Sequence, residues 1–247
     1  IYVQAALNCG AKTVDFLGMP LLCEEVVVPT NVWAKDVNFT KFTSSAGNVV
    51  KVNSGCMLTG KIAGTGITNA VQRCVYPAAD GVSNVTLNVE VSNATFGVHA
   101  QYLTTDSPTS RPKKWTGRVF AKNIVGATGV SEGYGLLLSP ADSCKITVVA
   151  ENVKRHATYL SAGASYNDIE TDCDGCGNYA VQFNALTPQA SCVHNHVVVK
   201  ARGLTTDVAG QSGALAILGN CHENVCNVFC TGNATTFEAV RIEGASS

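Results

Sequence analysis

Four acidic side chains near the middle of the chain are the first candidates for catalysis. They are Glu151, Glu170, Asp172 and Asp174. Glycosidases need two carboxyl groups, about 5–5.5 Å apart in retaining enzymes and about 6.5–9.5 Å apart in inverting ones. Clustering raises the pKa of one carboxyl group and so creates a general acid. Ion pairing is the alternative, because Lys200 and Arg202 follow at a matching spacing and opposite charges on neighbouring strands are mildly stabilising.

Six other side chains are suited to sugar binding, because aromatic faces can cover sugar rings and flexible polar groups can bind hydroxyls. Tyr159, Gln182 and Arg241 are predicted to share one outward position on successive strands. The other three, Tyr134, Tyr166 and Trp115, fall in predicted turns. The alternative role for the whole set is contact with a neighbouring subunit.

The pair Cys173 and Cys176 has the spacing of a zinc or redox motif. However, Cys173 is predicted to point into the core, and Cys221, Cys226 and Cys230 lie two repeats further along the chain. The chain also lacks a phosphate-binding glycine loop and a His-Glu-x-x-His motif. We therefore predict neither a metal site nor a cofactor.

A repeated pattern indicates the elements that position these side chains. It is a small residue followed by apolar residues at every second position, which predicts strands with one buried face. The five copies begin at Gly135, Ala157, Ala180, Ala214 and Ala239, which are 22, 23, 34 and 25 residues apart. The predicted inward pairs are Leu136/Leu138, Thr158/Leu160, Val181/Phe183, Leu215/Ile217 and Val240/Ile242.

A second strand precedes each of the last four copies, so each repeat contributes short strands joined by turns. One coil cannot bury its apolar face alone, but stacked coils form a continuous core. We therefore predict an all-β fold, a right-handed single-stranded parallel β-helix. Outward side chains then form ladders with a spacing of about 4.8 Å. One predicted ladder contains Val149, Asp172, Lys200 and Phe229, and its neighbour contains Glu151, Asp174, Arg202 and Thr231.

The organisation is predicted to be a single domain over residues 1–247, because no linker separates two compositions. Residues 1–8 are expected to be the remnant of a capping helix whose beginning precedes the sequence. Residues 104–116 carry two prolines and a basic cluster, so we expect them to form an inserted loop.

Charge and cysteine content narrow the classes of partner and compartment. The net charge of −1, with both signs scattered, argues against nucleic-acid or anionic-membrane partners, and no apolar run is long enough to span a bilayer.

The eleven cysteines are an odd number and several fall at inward positions, so most are expected to be reduced core thiols. The alternative is a disulfide-bearing extracellular protein, whose sequons would accept glycans. These sequons begin at Asn38, Asn84, Asn93 and Asn233.

The first forty residues contain a helix, two strands and their turns in a characteristic order. Residues 3–7 (VQAAL) form a short amphipathic helix, residues 12–20 a strand and turn, and residues 25–32 a strand closed by Pro-Thr-Asn-Val. This order resembles the entry segment of pectate-lyase-like β-helix proteins, especially bacteriophage tailspikes and tail fibres. Residues 18–20 (GMP) replace the usual glycine pair of that family, and the later coils match in architecture alone.

The resemblance implies a homotrimeric virion protein of the phage tail, assembled in the bacterial cytoplasm with other tail proteins. It implies recognition of a bacterial surface polysaccharide for host attachment, in some members with depolymerase activity. A reducing cytosol also suits unpaired cysteines. The alternatives are a glycoside hydrolase or polysaccharide lyase of the β-helix class, and a secreted β-helix adhesin. Asp172, Asp174 and Arg202 fit only superficially the calcium site expected of a pectate lyase.

Overall fold

Twenty-one strands and one short helix are present in the part of the chain that the computed structural model describes, which comprises residues 2–127, 132–185, 190–205, 212–231 and 238–244. The helix is α1 (Tyr2–Leu7). The strands are, in chain order, β1 (Thr13–Asp15), β2 (Leu21–Cys23), β3 (Val26–Val28), β4 (Trp33–Lys41), β5 (Gly47–Val52), β6 (Met57–Ala63), β7 (Gln72–Pro77), β8 (Thr86–Ser92), β9 (Phe96–Ala100), β10 (Thr116–Ile124), β11 (Tyr134–Leu138), β12 (Lys145–Val153), β13 (His156–Ser161), β14 (Asp168–Cys176), β15 (Tyr179–Ala185), β16 (Cys192–Val193), β17 (His196–Arg202), β18 (Gly213–Gly219), β19 (Cys221–His222), β20 (Val225–Cys230) and β21 (Glu238–Glu243).

These strands form two long sheets and one short one. The first sheet has the order β1-β4-β6-β8-β10-β12-β14-β17-β20, with β2 also paired to β4. The second sheet has the order β3-β5-β7-β9-β11-β13-β15-β18-β21, and β16 pairs with β19 in the short one. From β3 onward the chain alternates between the long sheets, with β16 and β19 inserted before β17 and β20, and strands of successive coils pair in parallel. The fold is a right-handed parallel β-helix, as the repeat predicted.

The predicted inward residues are buried in the first three repeats, whereas in the fourth Leu215 is buried and Ile217 is only half-buried. Thr158 is the polar member of the set, and its hydroxyl lies 2.8 Å from that of Thr171 inside the core. Val240 and Ile242 keep the predicted register opposite Leu215 and Ile217, but they are 45% and 71% exposed. The prediction that they are buried was wrong, because no further coil stacks on them in the described part of the chain.

A small residue begins the repeat because a Cβ atom at this position meets both the next coil and the other long sheet. A Cβ atom at Gly97 would lie 2.4 Å from the carbonyl oxygen of Gly135 and 2.6 Å from Cγ2 of Val91. A Cβ atom at Gly135 would lie 2.8 Å from the Cβ of Ala121. At Gly97 and Gly135 the second sheet can therefore stack only with a hydrogen atom in place of a side chain.

A ladder of three asparagines, Asn167, Asn195 and Asn224, fixes one corner of the later coils. Asn195 Nδ2 donates to Asn224 Oδ1 at 2.9 Å and to the carbonyl oxygen of Ala164 at 3.0 Å. Asn195 Oδ1 accepts from both the backbone nitrogen and Nδ2 of Asn167, at 3.1 and 2.9 Å. The ladder thus satisfies polar groups that would be costly to bury without partners.

Helix α1 closes the first coil, as expected of a capping helix. Gln4 Nε2 donates to the carbonyl oxygen of Val27 at 2.9 Å, and Gln4 Oε1 accepts from the Val27 backbone nitrogen at 2.8 Å. A neighbouring strand would make the same pair of bonds along the edge of β3. Leu7 is buried against the end of the core, so the helix covers both an open edge and an apolar surface.

The segment between β9 and β10 is a loop, as predicted for residues 104–116, except that Thr116 already belongs to β10. Arg111 holds the loop against the helix body. Its guanidinium donates to both carboxylate oxygens of Asp106, at 2.7 and 2.9 Å, and to the carbonyl oxygen of Gly163 at 3.1 Å. Lys113 forms parallel bridges with residues of both adjacent coils, so the insertion remains part of the stack.

Candidate functional site

The four candidate carboxylates lie on one outward surface, formed by β12, β14 and β17, which we call the charged face. The predicted ladders are in the correct register: Asp172 lies opposite Lys200, and Asp174 lies opposite both Glu151 and Arg202. The four acidic side chains are between 34% and 54% exposed. The alternation of the strands therefore places all of them in contact with solvent.

Two of these carboxylates contact lysines of other coils. Glu151 pairs with Lys122 of the preceding coil at 3.2 Å. Glu170 pairs with Lys200 of the following coil at 2.7 Å. Lys200 thus reaches diagonally along β14 instead of pairing with Asp172 directly opposite, as the ladder predicted. A long side chain that leans along its strand has this reach.

The other two carboxylates share one guanidinium. Arg202 contacts Asp172 at 2.5 Å and Asp174 at 3.2 Å, so it pairs with both acids instead of with Asp174 alone. Glu151 and Asp174 are ladder neighbours, but their cations lie on opposite sides, in the preceding and the following coil. A cation holds each of the four candidates, and this geometry favours structural ion pairing over a free catalytic pair.

The ion-pair network extends to a residue that sequence reasoning did not select. Asp168 contacts Lys145 at 3.2 Å and His196 Nδ1 at 2.9 Å. The hydrogen bond with His196 lowers the pKa of Asp168, and Lys145 lowers it further. The contact between Asp168 and His196 becomes visible only once β14 and β17 are aligned in register.

Trp115 is not exposed, as a sugar-binding residue must be. It also does not lie in a turn, so the predicted position was wrong. Its side chain is fully buried, and Nε1 donates to the carbonyl oxygen of Val82 at 3.0 Å. The turn itself is at Lys114, whose φ is 56°. Trp115 follows this corner as an inward residue directly before β10.

Tyr134 and Tyr159 belong to a row of rings on the outer side of the second sheet, which we call the ring cluster. Its members are Phe96, His99, Tyr134, His156, Tyr159 and Tyr179. The ring centres of Tyr134 and Tyr159 are 4.8 Å apart, and that of His156 lies 5.3 Å from each. Tyr134 is the first residue of β11 and does not lie in a turn as predicted. Ring contacts of this kind contribute about 0.5–1.5 kcal/mol per pair beyond the area they bury.

Most of the ring cluster is buried, but Tyr159 forms part of an accessible edge. Tyr134 and Gln182 are each only 6% exposed, whereas Tyr159 and Asn184 are half-buried. Tyr159 lies opposite Gln182, as the predicted ladder requires. The hydroxyl of Tyr159 accepts a hydrogen bond from Asn184 Nδ2 at 2.6 Å. Tyr159 and Asn184 therefore form the part of this surface that a ligand can reach.

Arg241 lies in the predicted ladder but away from this edge. The ladder continues from Gln182 through Ala216 to Arg241, which is on the last described strand. Hydrogen bonds with Tyr179 and Glu243 raise the pKa of the Arg241 guanidinium. The guanidinium of Arg241 thus bonds to Glu243 on its own strand and to Tyr179 on an earlier coil. Arg241 does not extend the edge formed by Tyr159.

Tyr166 is 62% exposed and occupies a corner with a φ of 59°, in agreement with its predicted place in a turn. Its ring stacks on that of His194 at 4.9 Å. His194 Nε2 in turn lies 3.0 Å from a carboxylate oxygen of Glu223. These residues form a corner row that is separate from the ring cluster.

Arg73 forms one end of the ring cluster and was missed by sequence reasoning. Its guanidinium lies over the rings of Tyr76 and Phe96, at 5.0 and 5.3 Å, and its Nε donates to His99 Nδ1 at 3.1 Å. Burial lowers the pKa of His99 to about 3, and the Arg73 charge acts in the same direction. His99 is therefore neutral at physiological pH and accepts the hydrogen bond.

Glu132 is a second residue of this surface that the sequence did not reveal. It lies two residues before Tyr134, the first residue of β11, and burial raises its pKa, although Arg73 and Arg155 act in the opposite direction. The Arg155 backbone nitrogen donates to the carbonyl oxygen of Gly133 at 3.0 Å and so holds this segment against the next coil. A carboxyl group perturbed in this way is typical of functional sites. No motif marks it, because its neighbours come from different coils.

The cysteines are mostly free thiols, with one exception. Cys173 and Cys176 form a disulfide, whereas the other nine cysteines are free. Cys173 points into the core as predicted. The prediction that most cysteines are reduced thiols is confirmed, and this pair is the exception, with both side chains near the end of β14 and Gly175 between them at a φ of 80°. No group of three potential metal ligands occurs among the residues that the structure describes.

The sequons have differing surroundings. Asn84 and Asn93 are exposed and have φ values of 57° and 52°. Asn38 is half-buried, and its Nδ2 donates to the carbonyl oxygen of Gly18 at 3.1 Å. Asn233 lies outside the described residues.

Comparisons with known proteins add no relative to this picture. No family model, no curated protein and no solved structure matches the chain. In the described ranges, no helix is long and apolar enough to cross a membrane.

Proposed function

We propose that this chain is the β-helical region of a bacteriophage tailspike or tail fibre, and that it attaches to a bacterial surface polysaccharide through the accessible edge of the ring cluster. The observation that carries the proposal is the contact of Tyr159 with Asn184. It places an aromatic face and an amide group side by side on a half-buried surface. Sugar recognition needs this combination, because rings cover the apolar faces of sugars while amides bind their hydroxyls.

The surroundings of this edge support a binding role. The rings of Tyr134 and His156 pack against the ring of Tyr159, so the orientation of Tyr159 is fixed before a ligand binds. Preorganised side chains on rigid strands lose little entropy on binding. Arg73 and Glu132 add charged hydrogen-bonding groups to the same face of the second sheet.

The charged face supports attachment over cleavage. Its four candidate carboxylates are each at least a third exposed and each pair with Lys or Arg. A glycosidase needs one carboxyl group that stays protonated and one that is free to act as a base or nucleophile. The ion pairs instead join neighbouring coils, which suits a rigid shaft.

The virion assignment and the homotrimer rest on the resemblance of the first forty residues, together with two features of the first coils. One is the closure of the β3 edge by Gln4. The other is a set of exposed apolar side chains, which often mark subunit contacts. The set comprises Leu17 at 75%, Met19 at 52%, Leu22 at 67% and Phe42 at 65% exposure. These residues are the surface we propose for contacts with other copies of the chain or with other tail proteins.

A polysaccharide depolymerase is the second candidate function. The observation that favours it is the raised pKa of Glu132. Burial raises the pKa of this carboxyl group, as a general acid requires, and its charge acts on Tyr134, whose ring contacts that of Tyr159. In this alternative the catalytic acid belongs to the second sheet and not to the charged face.

The test is incubation of the purified protein with a panel of bacterial capsules and O-antigens, followed by a binding measurement and by sizing of the polymer. Retained binding with intact polymer is the expected result. Oligosaccharides of one repeat size, lost in Glu132→Gln but kept in Asp172→Asn, would establish the depolymerase instead. If no polysaccharide of the panel binds and none is shortened, the attachment proposal is contradicted.

A further inference from the structure

Two free cysteines lie directly opposite each other on neighbouring coils. Cys192 on β16 and Cys221 on β19 are register partners in a parallel pair. Neighbouring strands are about 4.8 Å apart, which lies within the range of about 4.4–6.8 Å that disulfides span between Cα atoms. Side chains at register partners of parallel strands point to the same side, so the backbone already has the geometry that a cross-coil disulfide needs.

The two thiols also contact each other. A hydrogen bond joins them, which lowers the pKa of Cys192 and raises that of Cys221. The sulfur of Cys192 lies 3.9 Å from the carbonyl oxygens of Leu160 and Asn184, and that of Cys221 lies 3.4 Å from the carbonyl oxygen of Leu218. Cys192 is buried and Cys221 is half-buried, so a small oxidant can reach the pair through Cys221.

From this arrangement we propose that Cys192 and Cys221 form a reversible disulfide that cross-links two successive coils. A small-molecule disulfide such as oxidised glutathione is the oxidant. The Cys192 thiolate or the Cys221 thiolate attacks it, one glutathione thiol leaves, and the second cysteine displaces the other glutathione. Two protein thiols lose two electrons and two protons, one S–S bond forms, and two glutathione thiols are produced.

The cross-link has a structural consequence because of its place in the fold. Each cysteine lies three residues before a member of the asparagine ladder, Asn195 or Asn224. The disulfide would join coils that the ladder already aligns, and it would restrict the unfolded chain between residues 192 and 221. Oxidation is therefore expected to stabilise the later coils after assembly. This inference stands apart from the proposed polysaccharide binding.

The test is a disulfide map of the intact protein after equilibration with oxidised glutathione, followed by alkylation in denaturant, proteolysis and mass spectrometry. The expected result is a linked peptide pair containing Cys192 and Cys221, which is separated again by reduced glutathione. The pair Cys173–Cys176 serves as the internal control for oxidation. Full alkylation of Cys192 and Cys221 while Cys173–Cys176 is oxidised would overturn the proposal.

A matched pair of variants gives a second readout. Cys226 is also half-buried, but it lies opposite Val197 and not opposite a thiol. The increase in Tm on oxidation is expected to be several degrees smaller in Cys221→Ala than in the wild type, and unchanged in Cys226→Ala. Equal increases in all three proteins would show that no stabilising bond forms at Cys221.

Discussion

Asn195 and Asn224, which lie one coil apart at the same corner, are joined by a hydrogen bond of 2.9 Å between the amide nitrogen of the first and the amide oxygen of the second. Asn195 is almost completely buried and also bonds to Asn167 and to the backbone of Ala164. The corner therefore depends on a polar ladder inside the protein, where unsatisfied groups are costly.

Replacement of Asn195 by Ala is expected to lower the free energy of unfolding by about 2–4 kcal/mol, because several buried donors and acceptors lose their partner. Urea denaturation followed by circular dichroism measures the change. Asn88→Ala is the control, since Asn88 is exposed on β8 and its loss should cost less than about 0.5 kcal/mol. Similar small losses in both variants would contradict the role of the ladder.

Replacement of Gly97 by Ala is expected to destabilise the protein by about 1–3 kcal/mol, because a methyl group overfills a packed interior. The new Cβ atom would lie 2.4 Å from a backbone oxygen of Gly135, which cannot rotate away. The midpoint of thermal unfolding measures the effect. Gly244→Ala is the control, because a Cβ there meets nothing within 4 Å. Equal midpoints for the two variants would show that the coils are not in close contact at Gly97.

The architecture was predictable because its signal is local and repeated. Copies such as the one at Gly135 alternate with period two, and the spacing of about one coil aligned Asp172 with Lys200 and Glu151 with Asp174. The resemblance at the start of the chain likewise predicted the helix that carries Gln4. The regular alternation that identified the strands therefore also predicted their register.

The candidate site was less predictable, because its residues are brought together from different coils. Glu132 precedes the strand of Tyr134, yet it acts beside Arg73 and Arg155, which are distant in sequence. Trp115 shows a different error, since an aromatic residue inside the predicted loop proved to be buried. The asparagine ladder did leave a signal in the sequence. Its members are 28 and 29 residues apart, and this spacing is within the range of lengths of one coil.

The pH dependence of stability tests the environment of His99. Its pKa in the folded protein is about 3, below the ordinary value of 6.5, so the unfolded chain binds more protons between these values. The contribution of His99 is complete above about pH 6.5 and is lost as the pH falls toward 3, with a slope of at most about 1.4 kcal/mol per pH unit. His99→Gln is expected to flatten this slope in denaturation measured at several pH values. The exposed His194→Gln should retain the slope, and an unchanged slope in His99→Gln would contradict the assignment.

The charged face is expected to contribute little to stability. Arg202 is half exposed, so Arg202→Ala should lower the stability only slightly, and the loss should decrease as salt is added. Denaturation at low and high ionic strength measures this. A large loss of stability that is independent of salt would show that the network is not the solvent-screened ion pairing inferred from its exposure.

Carboxylates of the charged face are also expected to be dispensable for polysaccharide recognition. Asp172→Asn and Glu151→Gln should each bind the polysaccharide as the wild type does, because the proposed edge belongs to the other long sheet. Any polymer cleavage by the wild type should likewise persist in both variants. Loss of cleavage in either one, with folding intact by circular dichroism, would return catalysis to the charged face.

The most direct test of the central claim is the affinity of Tyr159→Ala for the polysaccharide that the wild-type protein binds, measured by titration calorimetry. Removal of the accessible ring should weaken binding at least about tenfold, as expected when an aromatic anchor is lost. Tyr166→Ala removes an exposed ring at a separate corner and should bind within about twofold of the wild type, which is less than 0.5 kcal/mol. Wild-type affinity in a folded Tyr159→Ala variant would contradict the assignment of the binding site to the ring cluster.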